Sequence, residues 1–278
     1  MKIVDYPTTK TLSATDVVLT DGTGGTKIIA ASDLAYILPH LCSPKMHRTT
    51  FRGKNLGANL TAEQKNAIQA GTFDDLWIGD YWTVNNVKYR IADFDYWYGK
   101  GDTPFNTHHL VIVPDSNLAN AKMNTTSTTA GGYIGSSMYT ADLQSAKYTV
   151  NGAFGDNVLT HREYLINQVT NGYPSAGVWS DSDVELMNEP MVYGAYVNTP
   201  ASSGTVTPKR YTNSQTQLAL FRIAPEYINA PDGVRVGYWL RDVVSAERFA
   251  RVTDYGPALD TAASLEYGIR PAFAIGVS

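Results

Sequence analysis

Two adjacent histidines are the first residues in this sequence that have the chemistry to bind a metal ion. His108 and His109 precede the apolar run LVIVP, which is typical of a buried strand. Neighbouring residues of a strand point to opposite faces of the sheet, so the two imidazoles are poorly placed to share one metal ion. We therefore expect one packed histidine and one exposed histidine rather than a metal site.

A run of alternating acids, SDSDVE, places Asp181, Asp183 and Glu185 at every second position. A calcium loop uses more oxygen ligands than these three and usually has a glycine at its sharp turn. The surrounding residues predict a short helix that is capped by Ser182 and ends near Pro190. Since acids in the first turn of a helix interact favourably with its dipole, we assign the three acids to that turn and expect no metal or other cofactor.

The residues that could form a nucleophilic or acid–base centre do not form a recognisable motif. His161 has no serine or cysteine nearby in a pattern such as Gly-x-Ser-x-Gly, and Cys42 has no neighbour that would activate its thiol. Asp93 and Asp95 lie among aromatic residues, where we expect their carboxylates to bond turn amides. No set of residues meets the standard for an active site, so we expect a protein without catalytic activity.

Composition and charge narrow the class of protein and the kinds of partner. Apolar residues make up 43% of the 278 residues and charged residues 17%, which favours a globular fold over disorder. The net charge of -4, with no basic run, argues against nucleic acid as a partner. The single cysteine, Cys42, allows no disulfide within the chain, which fits a reducing compartment or a particle assembled inside a cell.

The sequence contains no recognisable export or membrane segment. The first residues, MKIVDYPTTK, include an acid and a proline where a signal peptide has an unbroken apolar run, so we expect no signal peptide. The longest apolar run, HLVIVP, is far shorter than the roughly 20 residues that span a bilayer, so we expect no membrane insertion.

The 18 tyrosines, together with abundant Gly, Asn, Thr and Ser, form a composition that recognition surfaces favour. Tyrosine offers a large contact area at a low entropic cost, and the small polar residues offer adaptable hydrogen bonds. A loop-rich β protein has the same composition, so both interpretations stay open.

The N-terminal residues 1–45 predict a small module. Val17–Leu19 and Lys27–Ile29 have strand-like composition and flank the turn sequence DGTGG, and Ser32 is placed to cap a helix beginning at Asp33. The GTGG stretch lacks the Gly-Lys-Ser/Thr ending of a phosphate-binding loop. Because so small a hairpin is only marginally stable alone, we expect the module to dock on its own copies or on another protein.

The remaining residues, 46–278, predict a second domain with short strands and few helices. LTAEQKNAIQAG predicts a helix with a capping box at its start, and TADLQSAKYTVNGAFG predicts another helix. DLWIGDYWTVNNVKYRIADFDYWYG predicts a hairpin, and HHLVIVPD a buried strand. NAKMNTTSTTAGGYIGSSMY predicts an ordered surface loop, and NTPASSGTVTPKR another loop. The pattern is that of the α+β class.

The C-terminal stretch YWLRDV…GIRPAF resembles the closing strands of a C-type-lectin-like domain of the formylglycine-generating-enzyme subtype. In that family a Trp-x-Arg strand lies beside a Gly-Val/Ile-Arg-Pro-Ala strand, which correspond here to Trp239, Arg241 and residues 268–272. Residues 51–275 also resemble uncharacterised gut-phage and Firmicutes proteins in AGTFDDLWIGDYW, HHLVIVPD, SDVELMNE and YWLRDVVSA. The enzymes of this fold use two late cysteines, and no cysteine follows Cys42 here, so the resemblance implies no oxidase activity.

The non-catalytic branch of this fold includes variable proteins of diversity-generating retroelements, in which a stretch just before the final strand is rewritten. The resemblance implies that Trp239, Arg241, Arg270 and Phe273 belong to the scaffold and that residues 245–267 form a ligand surface. The implied contact residues are Glu247, Arg248, Arg251, Thr253, Asp254, Tyr255, Leu259, Asp260, Thr261, Leu265, Glu266 and Tyr267. The alternative is an ordinary irregular hairpin that turns at residues 255–257.

The module at residues 1–45 resembles the N-terminal module of phage structural proteins, which implies attachment to a virion. We therefore expect a phage receptor-binding protein, as a tail-fibre tip or capsid decoration, located on the virion. Its partners would be a host cell-surface protein or glycan and other virion proteins, and related binding proteins are often homotrimers.

Two alternatives to this function stay open. The first is a purely structural capsid or tail component without a host ligand. The second is an enzyme that acts on surface polysaccharide, because the sequence does not place the carboxylates of Asp93, Asp95, Asp181 and Asp183 in space.

Overall fold

Of the N-terminal unit, the structure describes two short antiparallel strands and residues 44–46. The computed structural model describes residues 17–20, 27–30, 44–165, 169–170, 173–174, 177–199 and 216–277. The chain divides into two units, Met1–Met46 and His47–Ser278. Strands β1 (Val17–Thr20) and β2 (Lys27–Ala30) pair as the sequence predicts. The DGTGG turn, the Ser32 cap, the helix at Asp33, Cys42 and the NTPASSGTVTPKR loop except its first residues lie outside the described residues.

A six-stranded antiparallel sheet forms the larger part of the second unit, in the order β12-β17-β5-β4-β3, with β7 also paired to β17. Its strands are β3 (Tyr81–Val84), β4 (Val87–Phe94), β5 (His109–Pro114), β7 (Val158–Leu159), β12 (Val184–Leu186) and β17 (Pro271–Gly276). Strands β5 and β17 are buried at every position, which explains their continuous apolar sequences. The predicted hairpin is present, and Asn85 and Asn86 form its tight turn with positive φ angles.

A second sheet has five strands in the order β15-β14-β13-β16-β6. They are β6 (Ala119–Lys122), β13 (Tyr238–Val243), β14 (Arg248–Val252), β15 (Ala258–Ala262) and β16 (Glu266–Ile269). The β13–β16 pair is parallel, and the other pairs are antiparallel. Two further antiparallel pairs are β8 (His161–Leu165) with β11 (Val178–Ser182), and β9 (Val169–Thr170) with β10 (Tyr173–Pro174).

The helices of the described residues are short. They are α1 (Pro44–His47), α2 (Ala62–Gln69), α3 (Leu143–Phe154), α4 (Glu189–Tyr193) and α5 (Ala219–Ile223). A π-helical turn at Met138–Asp142 precedes α3, and 3₁₀ turns lie at Gly155–Asn157, Pro225–Ile228 and Pro231–Gly233. The predicted capping box of α2 is present, because the Gln64 amide donates to the Thr61 hydroxyl and the Thr61 amide donates to the Gln64 side chain.

The predicted helix capped by Ser182 is wrong. Asp181 and Ser182 end β11 and Glu185 lies in β12, so none of the acids is in a first helical turn. The helix in this region is α4, whose cap is Asn188 and whose second residue is Pro190. The alternation of SDSDVEL has the period of a strand, and proline is tolerated at the start of a helix, where its missing N–H costs no hydrogen bond.

Two hydrophobic clusters hold the second unit together, and the five-stranded sheet contributes to both. Tyr238 and Leu240 of β13 pack into the cluster that includes the six-stranded sheet, whereas Trp239 and Val243 pack into a smaller cluster with Phe249 of β14. The centre of this sheet is therefore covered on both faces. The described residues form a mixed helix and sheet structure, mostly β with few helices, compatible with the α+β class. Among them, no helix has the length and apolarity to cross a bilayer.

Candidate ligand-binding surface

The segment between the two C-terminal framework stretches folds as a β-hairpin. In the β14–β15 pair, Arg248 lies opposite Ala262 and Arg251 opposite Leu259. The Thr253 amide donates to the Pro257 carbonyl, 3.0 Å away, and closes the turn. The turn thus falls where the alternative interpretation puts it. An ordinary hairpin can still carry a ligand surface, so the two interpretations do not exclude each other.

Two side chains bond backbone carbonyls of the turn and hold this hairpin against the rest of the unit. The Asn229 side-chain amide donates to the Asp254 carbonyl at 2.7 Å, and the Tyr193 hydroxyl donates to the Gly256 carbonyl at 2.8 Å. Tyr255 projects from the turn with 74% of its surface exposed, and the guanidinium of Arg235 lies 5.2 Å from the centre of its ring. The turn is therefore fixed through its backbone, while its tyrosine side chain faces solvent.

The contact residues implied by the sequence differ in exposure. Most are exposed: Glu247, Arg248, Asp254, Tyr255, Leu259, Leu265 and Glu266. Four are half-buried: Arg251, Thr253, Asp260 and Tyr267. Thr261 is buried, and its hydroxyl accepts a hydrogen bond from Nε of Arg251 at 2.8 Å. Thr261 lies opposite Phe249, on the same face of the sheet as Arg251, and because it is buried it positions Arg251 instead of meeting a ligand directly.

Arg251 sits on an ordered stack of rings. Its guanidinium lies 4.1 Å from the centre of the Tyr267 ring, which meets Trp239 edge-on with centres 5.2 Å apart. Trp239 is buried, and its Nε1 donates to the Ala121 carbonyl at 3.0 Å. The buried Trp239 thus positions the Tyr267 ring, and that ring positions the guanidinium of Arg251.

The four residues assigned to the scaffold are all buried: Trp239, Arg241, Arg270 and Phe273. Arg241 donates to Oε2 of Glu163 at 2.7 Å, and Arg270 donates to three backbone carbonyls. In the resemblance, the strand of Trp239 lies beside residues 268–272. Here Gly268 lies opposite Tyr238, but after Ile269 the chain enters β17, in the other sheet.

Gly268 is required at this parallel contact by the space available. A Cβ atom at this position would lie 1.9 Å from the side-chain nitrogen of Asn117. That nitrogen donates to the Gly237 carbonyl at 3.1 Å, and the Gly268 amide bonds the same carbonyl. The glycine therefore lets Asn117 join the two C-terminal strands.

A loop that the sequence did not connect with the hairpin lies against it. The Asn124 amide donates to the Ala263 carbonyl, and the Thr129 amide donates to the Ala246 carbonyl, each at 2.9 Å. The hydroxyl of Ser127 lies 2.8 Å from that of Ser264. The small polar composition of residues 120–139 predicted an ordered surface loop, but the structure places the first three of these residues in β6 and the last two in the π-helical turn, which leaves 123–137 as the loop. No local signal could place the loop against the hairpin, because the contacts span more than 100 residues.

Exposed apolar side chains concentrate in this region. Ten large apolar or aromatic residues are exposed in the described part of the chain, and four of them belong to residues 234–265: Val234, Tyr255, Leu259 and Leu265. We call the outward-facing side chains of residues 234–235 and 247–267, together with the neighbouring loop at 123–137, the hairpin surface. Val234, Arg235 and Ser127 are members that sequence reasoning missed.

Buried carboxylates lie beneath this surface. Burial raises the pKa of Glu185 to about 7 although Tyr133 donates to Oε2 of its carboxylate at 2.7 Å. Burial, and then the charge of Glu189, raise the pKa of Asp242 to about 7. Oδ2 of Asp242 accepts from the Glu189 amide at 2.5 Å. Glu185 belongs to β12 and Asp242 to β13, and no local pattern in the sequence predicts that these carboxylates are buried.

The four carboxylates of the polysaccharide-enzyme alternative each contact a different basic side chain. Asp93 is buried against Arg48, and Asp95 lies 2.8 Å from Nδ1 of His108. Asp181 and Asp183 pair with Arg162 and Lys147 at 2.9 Å and 2.5 Å. The expected amide bonds are also present, from Phe94 to Asp93 and from His109 to Asp95.

Of the two adjacent histidines, one is packed as expected, and the other is half-buried where we expected an exposed side chain. His109 is fully buried, and burial lowers its pKa to about 3, whereas the side chain of His108 is 34% exposed. His161 is buried and stacks on Trp97 with ring centres 4.0 Å apart. Among the residues that the structure describes, no group of three or more His, Cys, Asp or Glu side chains could hold a metal ion.

No protein-family model matches the chain, and no curated protein and no solved structure is significantly similar to it. A functional assignment must therefore start from the geometry of the hairpin surface.

Proposed function

We propose that this protein recognises a ligand and has no catalytic role, and that the hairpin surface is where the ligand binds. In this proposal it is a phage virion protein, at a tail-fibre tip or on the capsid, that attaches to a receptor on the host surface.

The observation that carries the proposal is a contrast in burial. The framework residues at the two ends of the C-terminal segment are buried, whereas most of the segment between them is exposed or half-buried. Trp239 and Phe273, at the two ends of the segment, are fully buried, whereas Tyr255 between them is 74% exposed. Rigid, exposed aromatic side chains flanked by arginine and small polar residues are the usual anchors of a recognition surface. A fixed frame that presents such groups has little ordering entropy to lose when it binds.

We further propose that residues 46–278 adopt a C-type-lectin-like fold of the formylglycine-generating-enzyme subtype. The support is the resemblance of the two C-terminal stretches and the parallel contact between Tyr238 and Gly268, which brings their ends together. In this proposal the residues between them correspond to the stretch that a diversity-generating retroelement rewrites.

The N-terminal module would attach the protein to other virion proteins and join three copies as a homotrimer. Its paired strands β1 and β2 are too few to be stable as an isolated hairpin, which supports a docking role.

The test of this function is binding to host cells. Fluorescently labelled protein is incubated with a panel of gut Firmicutes, and bound fluorescence is measured for each strain. The matched variant replaces the seven exposed contact residues by alanine: Glu247, Arg248, Asp254, Tyr255, Leu259, Leu265 and Glu266. We expect binding restricted to certain strains, and its loss in this variant with little change in melting temperature, because the altered side chains point to solvent.

A control variant, Tyr148→Ala, removes an exposed tyrosine from α3, where the side chain is 84% exposed. It should bind as the unaltered protein does. Undiminished binding of the seven-alanine variant would contradict the proposed surface. Binding to no strain, with tight association to virion proteins, would favour the purely structural alternative.

A further inference from the structure

The further inference concerns Arg251, because its guanidinium is held in place without a carboxylate partner in the described part of the chain. Its contacts there are Nε to the Thr261 hydroxyl at 2.8 Å and the Tyr267 ring at 4.1 Å. Most other described arginines pair with carboxylates: Arg48, Arg52, Arg90, Arg162, Arg241 and Arg248. Arg251 differs from these six because its guanidinium is held by a hydroxyl and a ring instead of a carboxylate.

The geometry of Arg251 suits a planar anion. A guanidinium binds a carboxylate through two parallel N–H···O bonds, and it does so best when its plane is already fixed. The Thr261 hydroxyl and the Tyr267 ring hold the guanidinium of Arg251 in place. Because Nε bonds the hydroxyl, the two terminal nitrogens are the groups available for a bidentate contact. Since the residue is half-buried, a carboxylate bound there would be partly shielded from solvent and salt.

A second arginine lies in the same surface. Arg235 is exposed beside Tyr255, and no carboxylate among the described residues pairs with it. Both arginines lie towards the same end of the β13–β14 pair, because Trp239 pairs with Arg251, and Gly237, two residues after Arg235, lies against the backbone of Val252 and Asp254. The hairpin surface therefore presents more than one positive group to a ligand.

The surroundings of Arg251 favour a sugar over a protein as the ligand. Leu259, which is 43% exposed, lies opposite Arg251. The polar residues Thr253 and Asp254 lie between Arg251 and Tyr255 in the sequence. The core of a protein interface is a contiguous apolar patch that is depleted in charge, whereas here single apolar groups alternate with polar ones. A sugar ring has apolar faces and a polar rim, and it matches such a pattern.

We propose that Arg251, supported by Tyr267 and Thr261, binds the carboxylate of an acidic sugar in a host-surface glycan. This inference rests on the proposed function, because it names the ligand class of the same surface. Arg235 and Tyr255 form the second part of the site, where the ring contacts a sugar face.

The test uses an array of oligosaccharides that contain glucuronic or galacturonic acid. Each is printed beside its carboxyl-reduced counterpart, in which the carboxylate is a primary alcohol. We expect the full chain to bind at least one acidic oligosaccharide at least tenfold more tightly than its reduced counterpart. Raising the salt concentration should weaken that preference, because the contact is between charges.

The matched variants are Arg251→Lys and Arg222→Ala. Lysine keeps the charge but lacks the planar fork, so Arg251→Lys should lose the preference for the acid while its melting temperature stays close to that of the unaltered protein. Arg222 is an exposed arginine in the last turn of α5, outside the hairpin surface, and its removal should leave array binding unchanged.

Binding to no acidic oligosaccharide, or equal binding to the acid and its reduced counterpart, would overturn the inference. The proposed function is tested separately by cell adhesion. Adhesion that depends on the hairpin surface and disappears when the cells are treated with protease, without array binding, would indicate a protein receptor. That result would overturn the acidic-sugar site and leave the proposed function standing.

Discussion

β13 and β15 belong to one sheet and are separated in it by a single strand, yet their surroundings are opposite. All six residues of β13 are buried, and its side chains enter both hydrophobic clusters. Of the five residues of β15 only Thr261 is buried. Substituting a buried residue of β13 should therefore destabilise the fold. Substituting an exposed residue of β15 or of its turn leaves no cavity and should cost little stability.

The arginines of the two regions follow the same division. Arg241 of β13 is buried and bonded to Glu163, so its charge is neutralised within the fold. Arg251 of β14 is half-buried and rests on a ring, without a carboxylate partner among the described residues. Arginines with the same intrinsic chemistry thus serve the frame in one case and, in our proposal, a ligand in the other.

The comparison predicts its largest effect at Trp239. Replacing this fully buried side chain by alanine leaves a cavity beneath Tyr267 and Phe249 and removes the donor to the Ala121 carbonyl. We expect Trp239→Ala to lower the free energy of unfolding by about 3–5 kcal/mol. The measurement is urea unfolding followed by circular dichroism, with Trp239→Phe as the control that keeps a ring and should lose less. A loss below about 1 kcal/mol for Trp239→Ala would break the division between frame and surface.

The local patterns of the sequence predicted much of the frame. Alternating apolar residues predicted the β3–β4 hairpin, and a continuous apolar run predicted β5, because strand periodicity is a local property. The capping box at Thr61 and Gln64 was also predictable, because it depends on two residues that are only three positions apart. The error at residues 181–193 arose because acids before an apolar segment fit the start of a helix as well as an alternating strand.

The geometry of the candidate ligand-binding surface could be predicted only in outline. The resemblance placed it at residues 245–267, but the burial of Thr261 depends on the register with Phe249, which the sequence does not specify. The stack of Arg251, Tyr267 and Trp239 joins three strands, and one of its contacts depends on the parallel pairing of β13 and β16. Such long-range pairings leave no local signal, so sequence reasoning could name Arg251 and Tyr267 but could not bring them together.

The second prediction concerns the buried carboxyl of Glu185, which should make the free energy of unfolding depend on pH. Burial raises the pKa of Glu185 from its ordinary value of 4.5 to about 7, so the folded protein holds this proton more tightly than the unfolded chain. As the pH rises from 4.5 to 7, the unfolded chain loses the proton first, and the free energy of unfolding falls. One proton corresponds to about 1.4 kcal/mol for each pH unit, so the loss is on the order of 3 kcal/mol.

Glu185→Gln should reduce the slope of this part of the pH profile by about half, because glutamine stays neutral and keeps an acceptor for the Tyr133 hydroxyl, while Asp242, whose pKa is also raised to about 7, still titrates. The measurement is the free energy of urea unfolding at pH 5 and pH 8 in the unaltered protein and the variant. Asp181→Asn changes an exposed carboxylate on β11 and should keep the original pH dependence. An unchanged slope in Glu185→Gln would show that Glu185 is not the source of the effect.

The smallest effect on folding should occur at Tyr255, where the comparison is sharpest. The turn that carries it is held by backbone carbonyls, at Asp254 and Gly256, and neither contact uses the tyrosine ring. The ring meets Arg235 at 5.2 Å, and an exposed cation–π contact contributes at most about 1 kcal/mol. We therefore expect Tyr255→Ala to change the free energy of unfolding by no more than about 1 kcal/mol, measured by urea unfolding beside Trp239→Ala. A loss above about 2 kcal/mol would mean that the ring belongs to the fold, and the exposed turn would then have to be reassigned to the frame.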